Sequence, residues 1–267
     1  MAENKESPRT MRTTEKSLEI LEMVQRQEKV RPVDVAERFD MSRGSAYTHL
    51  ATLQNAGYVV QDEEGYRLGC SLISLGQTAR TQYTMFDVAS SVVSEVSDVT
   101  DERVQFMLEE HNELWYICGD SGENGVDTGV EIGASVPIHA SAVGKAILAE
   151  VNEEKREAIL DTVDFDPYNS NTITSRSDFV AELNSVKEDG YALNKQEITE
   201  WINAVAVSVE VPETTSIGAL CVIGPAARLT HERMESEISD ILLSYANTFE
   251  VKLNKEMEGT ISPYDGT

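Results

Sequence analysis

The 267-residue sequence has little cysteine, few cations and no long apolar run, and each shortage bears on what the protein can be. Its three cysteines, Cys70, Cys118 and Cys221, lie far apart and are odd in number, which argues against a disulfide framework and against a C-x-x-C metal knuckle. The four histidines, His49, His111, His139 and His231, are equally scattered, so no metal and no cofactor is expected. No stretch approaches the roughly 18 uninterrupted apolar residues of a membrane span. The opening MAENKESPRTMRTTEKS also lacks the apolar region of a secretory signal. A soluble cytoplasmic protein with no membrane partner is the expectation.

Twenty-two Lys and Arg stand against 47 Asp and Glu, a formal net charge of −25. The total looks hostile to nucleic acid, but its distribution matters more than its sum. Residues 1–80 hold 11 of the cations and 12 of the acids, a net of −1, and residues 81–267 hold the other 11 cations and 35 acids, a net of −24. An acidic surface with few lysines suits a halophilic protein that stays soluble in molar salt, although a mesophilic acidic protein has the same composition. In molar salt the Debye length falls to about 3 Å, so affinity for DNA would rest on close contacts and oligomerisation rather than long-range steering.

The length suits about two domains, and 40% hydrophobic content is enough for real cores. The segment EKSLEILEMVQRQ places Leu18, Leu21 and Val24, with Ile20 on the flank, at helical spacing. RPVDVAERFD follows, with Pro32 suited to a first helical position and Val33, Ala36 and Phe39 as its buried face. Ser42 can cap a third helix that buries Ala46, Leu50 and Leu53 and ends at Gly57. Tyr58–Val60 and Tyr66–Leu68 around Gln61–Gly65 read as a β-hairpin, which completes a winged helix-turn-helix. Residues 71–99 read as connector helix interrupted near Gly76 to Tyr83, a segment able to pair with its copy in a dimer.

Beyond it, ERVQFMLEE and ELWYICGDS form a hairpin turning at His111-Asn112. AVGKAILAEV reads as a helix, and so does SDFVAELNSVKEDG, with Ser175 and Asp178 as a capping box and Gly190 at its end. NAVAVSVEV and SIGALCVIG are strands around Pro212–Thr215, and HERMESEISDILLSYANTFEVKLNKE is a terminal helix. The fold class is α+β, in four parts: a winged helix-turn-helix domain (1–70), connector helices (71–99), an effector-binding domain (100–257) and a tail (258–267).

A recognition helix offers short polar or cationic groups from its N-terminal half to base edges and phosphates of the major groove. Ser42, Arg43, Ser45, Tyr47, Thr48 and His49 supply that set, with Arg43 placed for a bidentate guanine contact or a phosphate clamp. Pro32, Ala46 and the wing residue Arg67 complete the candidate DNA-binding residues. Periodicity alone is equally compatible with a three-helix bundle whose third helix has a polar outer face.

Catalytic readings are weaker. HASAVGKA ends in Gly144-Lys145, but His139 stands where a phosphate-binding loop needs glycine and Ala146 where it needs Ser or Thr. His139 and Ser141 lack a G-x-S-x-G elbow, so no enzyme is expected. A ligand-binding or catalytic α+β protein that uses its winged helix for protein contacts stays open, as does an architectural DNA binder indifferent to metabolites.

Across Thr13 to about Asn254 the chain resembles the IclR family of transcriptional regulators. The resemblance is carried by SLEILEMV, SRGSAYTHLATLQNAGYV and the YRLG of residues 66–69 in the first domain. In the second it is carried by VPIHASAVGKAILA (136–149), NTITSRSDFVAELNSVKEDGYALNKQE (171–197) and VIGP (222–225). It implies a homodimer or dimer of dimers on a palindromic double-stranded DNA operator, and a GAF-like second domain that binds a small metabolite, often a carboxylate. It also implies effector contacts at Val136, Ala142, Val143, Asn194, Ala204, Cys221 and Ile223. These positions are less polar than in relatives that bind small oxo-acids, which suits an aromatic acid as well as a sugar acid. Taken alone, Cys221 reads equally as a small buried apolar residue. Two departures stand out: Thr48 and His49 follow the helix tyrosine where the family often has arginine, and the wing tip carries Asp62, Glu63 and Glu64, with Arg67 as the cation nearby.

Overall fold

A computed structural model describes residues 10–260 apart from 213 and 215, so residues 261–267 of the expected tail lie outside the described residues. The chain divides into two compact units, 1–82 and 83–267, a boundary inside the expected connector.

In the first unit, α1 (Arg12–Gln27), α2 (Pro32–Arg38) and α3 (Arg43–Asn55) pack around Ile20, Val24, Val35, Leu50 and Val59, all fully buried. The buried stripe of α1 is Ile20, Met23 and Val24, whereas Leu18 is 55% exposed and Leu21 half-buried, a correction to the expected face. Both triads have helical spacing, and only packing against the rest of the unit decides which turns inward. For the same reason α2 buries Val35 and Ala36, and leaves Val33 and Phe39 half-buried. Ser42 caps α3 by accepting from Ser45 N–H at 3.1 Å, and Gly57, at φ 81°, takes the left-handed position just past its end.

The wing is the antiparallel pair β1 (Val59–Gln61) and β2 (Tyr66–Leu68). Val30 exchanges both backbone hydrogen bonds with Tyr66, at 2.8 and 2.9 Å, which ties the α1–α2 connection to the wing. The helix α4 (Ser71–Thr81) then runs straight through Gly76. A lone helical glycine costs only about 1 kcal/mol against alanine, and the break falls at the far end of the expected Gly76 to Tyr83 interval, at residues 82–84.

The second unit opens with α5 (Met85–Thr100), followed by β3 (Arg103–Glu110) and β4 (Glu113–Ser121), which meet at a two-residue turn. His111 (φ 55°) and Asn112 (φ 64°) are both left-handed there, as a twisted hairpin requires. Next come β5 (Ser135–Val136), α6 (Ala142–Glu150), α7 (Glu153–Leu160), α8 (Arg176–Asp189), β6 (Ala192–Lys195), β7 (Ile202–Glu210) and β8 (Ile217–Pro225). The expected terminal helix is α9 (His231–Arg233), a π-helical turn (Met234–Ile238) and α10 (Ser239–Thr260). Ser175 caps α8 through Asp178 N–H at 3.2 Å.

One antiparallel sheet, in the order β5-β4-β3-β8-β7-β6, carries helices on both faces. Strand alternation sorts its side chains. Phe106, Val205, Val207, Val209, Leu220 and Val222 meet α5 and α10 in one core, where Phe106 stacks on Phe249 at 5.2 Å. Met107, Ala204, Ala206, Ala219 and Cys221 face α6, α7 and α8 in the other. The second face is paved with small side chains, and a cavity remains between it and α6. This is the GAF-like α+β arrangement behind a winged helix-turn-helix.

Candidate functional site

On the first unit, the N-terminal half of α3 offers Ser42, Arg43, Ser45, Tyr47 and Thr48 to solvent, with Tyr47 57% exposed. The capping geometry sets what each can do. Ser42 Oγ serves the helix N-terminus and lies 3.0 Å from Ser45 Oγ, and Thr48 Oγ1 donates back to Gly44 C=O at 2.9 Å. Arg43 is exposed and, among the described residues, engages no acidic partner, so its fork of donors is available.

Two members of the candidate set are corrected. Ala46 is fully buried under the helix and cannot touch DNA, because its position on the 3.6-residue repeat aligns it with Leu50 and Leu53. His49 is half-buried, with its ring Nδ1 2.8 Å from Ser17 Oγ, so it joins α3 to α1 rather than standing in the exposed row. Pro32 is half-buried at the first position of α2, where its fixed φ starts the helix.

The acidic wing tip is less repulsive than its sequence suggests. Lys29 hydrogen-bonds Glu64 and lies 3.2 Å from Asp62, and Arg67 Nε is 3.9 Å from the same Asp62 carboxylate. Asp62 also accepts from Glu64 N–H and Gly65 N–H, so it builds the turn. The Glu64 N–H first, then Lys29, hold its carboxyl below the usual range. Lys29 was not legible as a wing residue, because only the Val30–Tyr66 bridge brings it there.

In the second unit, Val136, Ala142, Val143, Asn194, Ala204, Cys221 and Ile223 all line one cavity of about 160 Å³, together with Met107, Val130, Ile198 and Trp201 among others. The sheet supplies its floor in two rows. Asn194, Ala204 and Ile223 are successive cross-strand partners, and so are Cys221 and Gln105. Burial pushes the Cys221 thiol up to about 12, so it is an uncharged wall.

The roof is the start of α6. Ser141 Oγ accepts from Gly144 N–H at 3.0 Å, which leaves the first-turn N–H groups of Ala142 and Val143 without an intrahelical acceptor, pointing out of the positive end of the helix. Asn194 lines the cavity but is occupied: Nδ2 donates to Ala140 C=O at 2.6 Å and Oδ1 accepts from Glu197 N–H at 3.0 Å.

Behind this loop lies a buried ionic cluster that sequence reasoning missed. Lys145, 1% exposed, donates to Leu193 C=O at 2.9 Å, Glu197 at 2.5 Å and Glu182 at 3.3 Å. Burial raises the Glu197 carboxyl above its ordinary range even though Lys145 opposes the rise. A lone cation in the apolar run AVGKAILA is the signal that could have found it. His139 and Ser141 do not form a nucleophile–base pair: the histidine ring lies 3.0 Å from Asp166 C=O and against Phe165 and Tyr168, and the serine caps α6.

Residues 13–63 match the model of the IclR helix-turn-helix domain, and residues 77–250 match that of the bacterial transcriptional regulator IclR C-terminal domain. The "Probable HTH-type transcriptional regulator ArcR" of Halobacterium salinarum is 25% identical over 256 residues, 94% of this chain and 97% of that one. The crystal structure of the Thermotoga maritima IclR superposes with a TM-score of 0.71 at 29% identity, over 91% of this chain and 99% of that one. An IclR homolog from Microbacterium hydrocarbonoxydans, solved in complex with 4-hydroxybenzoate, has the same fold at 21% identity, with a TM-score of 0.73 and coverage of 90% and 99%.

Proposed function

The chain belongs to the IclR family of transcriptional regulators, and from that premise we propose that its cavity takes a one-ring aromatic carboxylate whose binding changes its grip on a palindromic operator. The winged unit binds DNA and the second unit binds the effector. The observation that carries the effector class is the pairing of a small, mostly apolar cavity with free helical N–H groups at one end.

Size and polarity both favour an aromatic acid. An apolar protein cavity of about 150 Å³ accepts benzene, and this one is about 160 Å³. Met107, Val130, Val136 and Trp201 supply flat and flexible apolar contact for a ring, and Ala142 and Val143 N–H supply donors for a carboxylate. A sugar acid carries several hydroxyls that would each need a partner; Asn194 and Ser141 already use theirs internally, which leaves Gln105, Asp127, Thr128 and Thr199 as the polar side chains of the lining to serve them. The 4-hydroxybenzoate bound by the Microbacterium protein belongs to the favoured class.

At the other end of the chain, Arg43 reads a base edge or clamps a phosphate, while Ser42, Ser45 and Tyr47 fix register. Two copies of the chain present two α3 helices to the operator half-sites. A ligand shifts such an assembly only through unequal affinity for two arrangements, and α4, which buries none of its residues within this chain, is the natural element to differ between them. Lys29 pairs with Asp62 and Glu64, Glu63 has no ion pair among the described residues, and the wing tip stays acidic, so α3 carries most of the recognition. The net charge of −25 suits function in molar salt.

A thermal-shift screen of aryl carboxylates against sugar acids tests the ligand class, with stabilisation by the former alone expected. A gel shift on the chain's own upstream DNA at low and molar KCl, with and without the hit, tests regulation. Complexes indifferent to every acid would favour an architectural binder, and absence of any specific complex would favour a winged helix used for protein contacts.

A further inference from the structure

The aryl-carboxylate reading accounts for the α6 end of the cavity and leaves the β3 end unexplained. Gln105 on β3 and Asn194 on β6 are three strands apart in the sheet, roughly 14 Å of backbone at about 4.8 Å per step. Two polar side chains that line the cavity have no hydrogen-bond partner among the described residues. Gln105 is 1% exposed and lines the cavity, and its buried amide Nε2 finds no acceptor among the described residues. Thr128, on the crossing from β4 to β5, lines the same cavity, and its Oγ1 is buried in the same condition.

Their surroundings do not explain them. The cross-strand neighbours of Gln105 are Gly119, which has no side chain, and Cys221, whose Sγ is turned to the Val222 carbonyl. An unsatisfied buried donor destabilises the ligand-free protein, because it has left water without gaining a partner. Such groups persist where something else supplies the partner.

Resting on the carboxylate reading, we propose that Gln105 and Thr128 determine specificity at the far end of the effector, by hydrogen-bonding a hydroxyl carried on the ring opposite the carboxylate. A hydroxyl suits both groups at once: it accepts from the Gln105 amide and exchanges a hydrogen bond with the Thr128 hydroxyl. A methyl group of the same shape leaves both unpaired, and sites built around a ligand hydroxyl reject the analogue that lacks it far better than apolar pockets reject an added group.

Isothermal titration of the full chain with 4-hydroxybenzoate and 4-methylbenzoate tests this. The wild type binds the hydroxylated acid at least about tenfold more tightly, which corresponds to about 1.4 kcal/mol. Gln105→Met brings the ratio to within about threefold, chiefly by weakening binding of the hydroxylated acid, and leaves the ligand-free melting temperature equal or higher. A group that merely held the fold together would lower it. Thr128→Val, on a half-buried loop, reduces the ratio independently should the strand variant fold poorly. Equal binding of the two acids by wild type, or discrimination that survives both variants, overturns this proposal and leaves the carboxylate reading standing. Binding of neither acid overturns both.

Discussion

Replacing Lys145 by methionine is the perturbation with the largest expected effect on the second unit. The side chain is 1% exposed and its ammonium group serves Leu193 C=O, Glu197 and Glu182, so the substitution takes a donor from a strand carbonyl and leaves the buried Glu197 carboxylate with only the Lys195 N–H, 3.4 Å away. Removing one partner of a buried pair costs about 3–5 kcal/mol. For a unit of this size each kcal/mol moves the midpoint by about 2–4 °C, so a fall of about 6–20 °C is expected. Trp115 and Trp201, the only tryptophans, both lie in the second unit, so intrinsic fluorescence follows its melting alone.

The pH dependence sharpens this test. Burial already raises the Glu197 carboxyl, and without Lys145 it rises further. A carboxyl whose folded value lies above its unfolded one destabilises most when the pH is above the folded value, and the penalty fades as pH falls through it. The gap between wild type and Lys145→Met is therefore wider at pH 8 than at pH 5. Lys145→Met combined with Glu197→Met recovers most of the loss, because an apolar pair of similar volume is often neutral or better. A single variant that melts within about 2 °C of wild type, or a deficit independent of pH, would refute the reasoning.

Arg43→Ala should weaken operator binding by about 1–3 kcal/mol, roughly 5- to 150-fold, with unchanged melting, since its exposed side chain makes no hydrogen bond or ion pair among the described residues; anisotropy that gives an unchanged Kd removes its assigned role. Leu50→Ala, by contrast, opens the fully buried core beneath α3 and should cost about 2–5 kcal/mol of first-unit stability, read by far-UV melting. Thiol titration at pH 8 should count one fast cysteine, the exposed Cys70, and three after denaturation; rapid reaction of Cys221 in the native protein would contradict its burial. Ala204→Phe places a ring on the cavity floor and should abolish aryl-acid stabilisation at about 1–3 kcal/mol of overpacking, with DNA affinity retained.

What the sequence made legible was local or patterned. Ser42 and Gly57 bracket α3 because caps act within a turn, and His111-Asn112 marked the hairpin because few other residues accept two left-handed positions. The small residues of the cavity floor came from the family resemblance, since Ala204 and Cys221 alone look like any core positions. What stayed hidden depends on tertiary choice. Leu18 and Ile20 lie on equally good helical stripes, and only packing separates them. Two-residue β5 and four-residue β6 are too short to show a period, and the polar helix α7 gives little apolar signal. Lys29 meets the wing 35 residues away through one backbone bridge, and Gln105 is an ordinary residue in an alternating strand until the cavity is seen.

Fluorescence anisotropy on the chain's own operator, titrated in molar KCl with and without saturating 4-hydroxybenzoate, tests the central claim most directly when wild type and Ala204→Phe are run side by side. The account predicts a specific complex for both proteins and an acid-dependent shift in Kd for wild type alone. A wild-type Kd untouched by the acid, or the same shift in the blocked variant, would contradict an effector acting through this cavity.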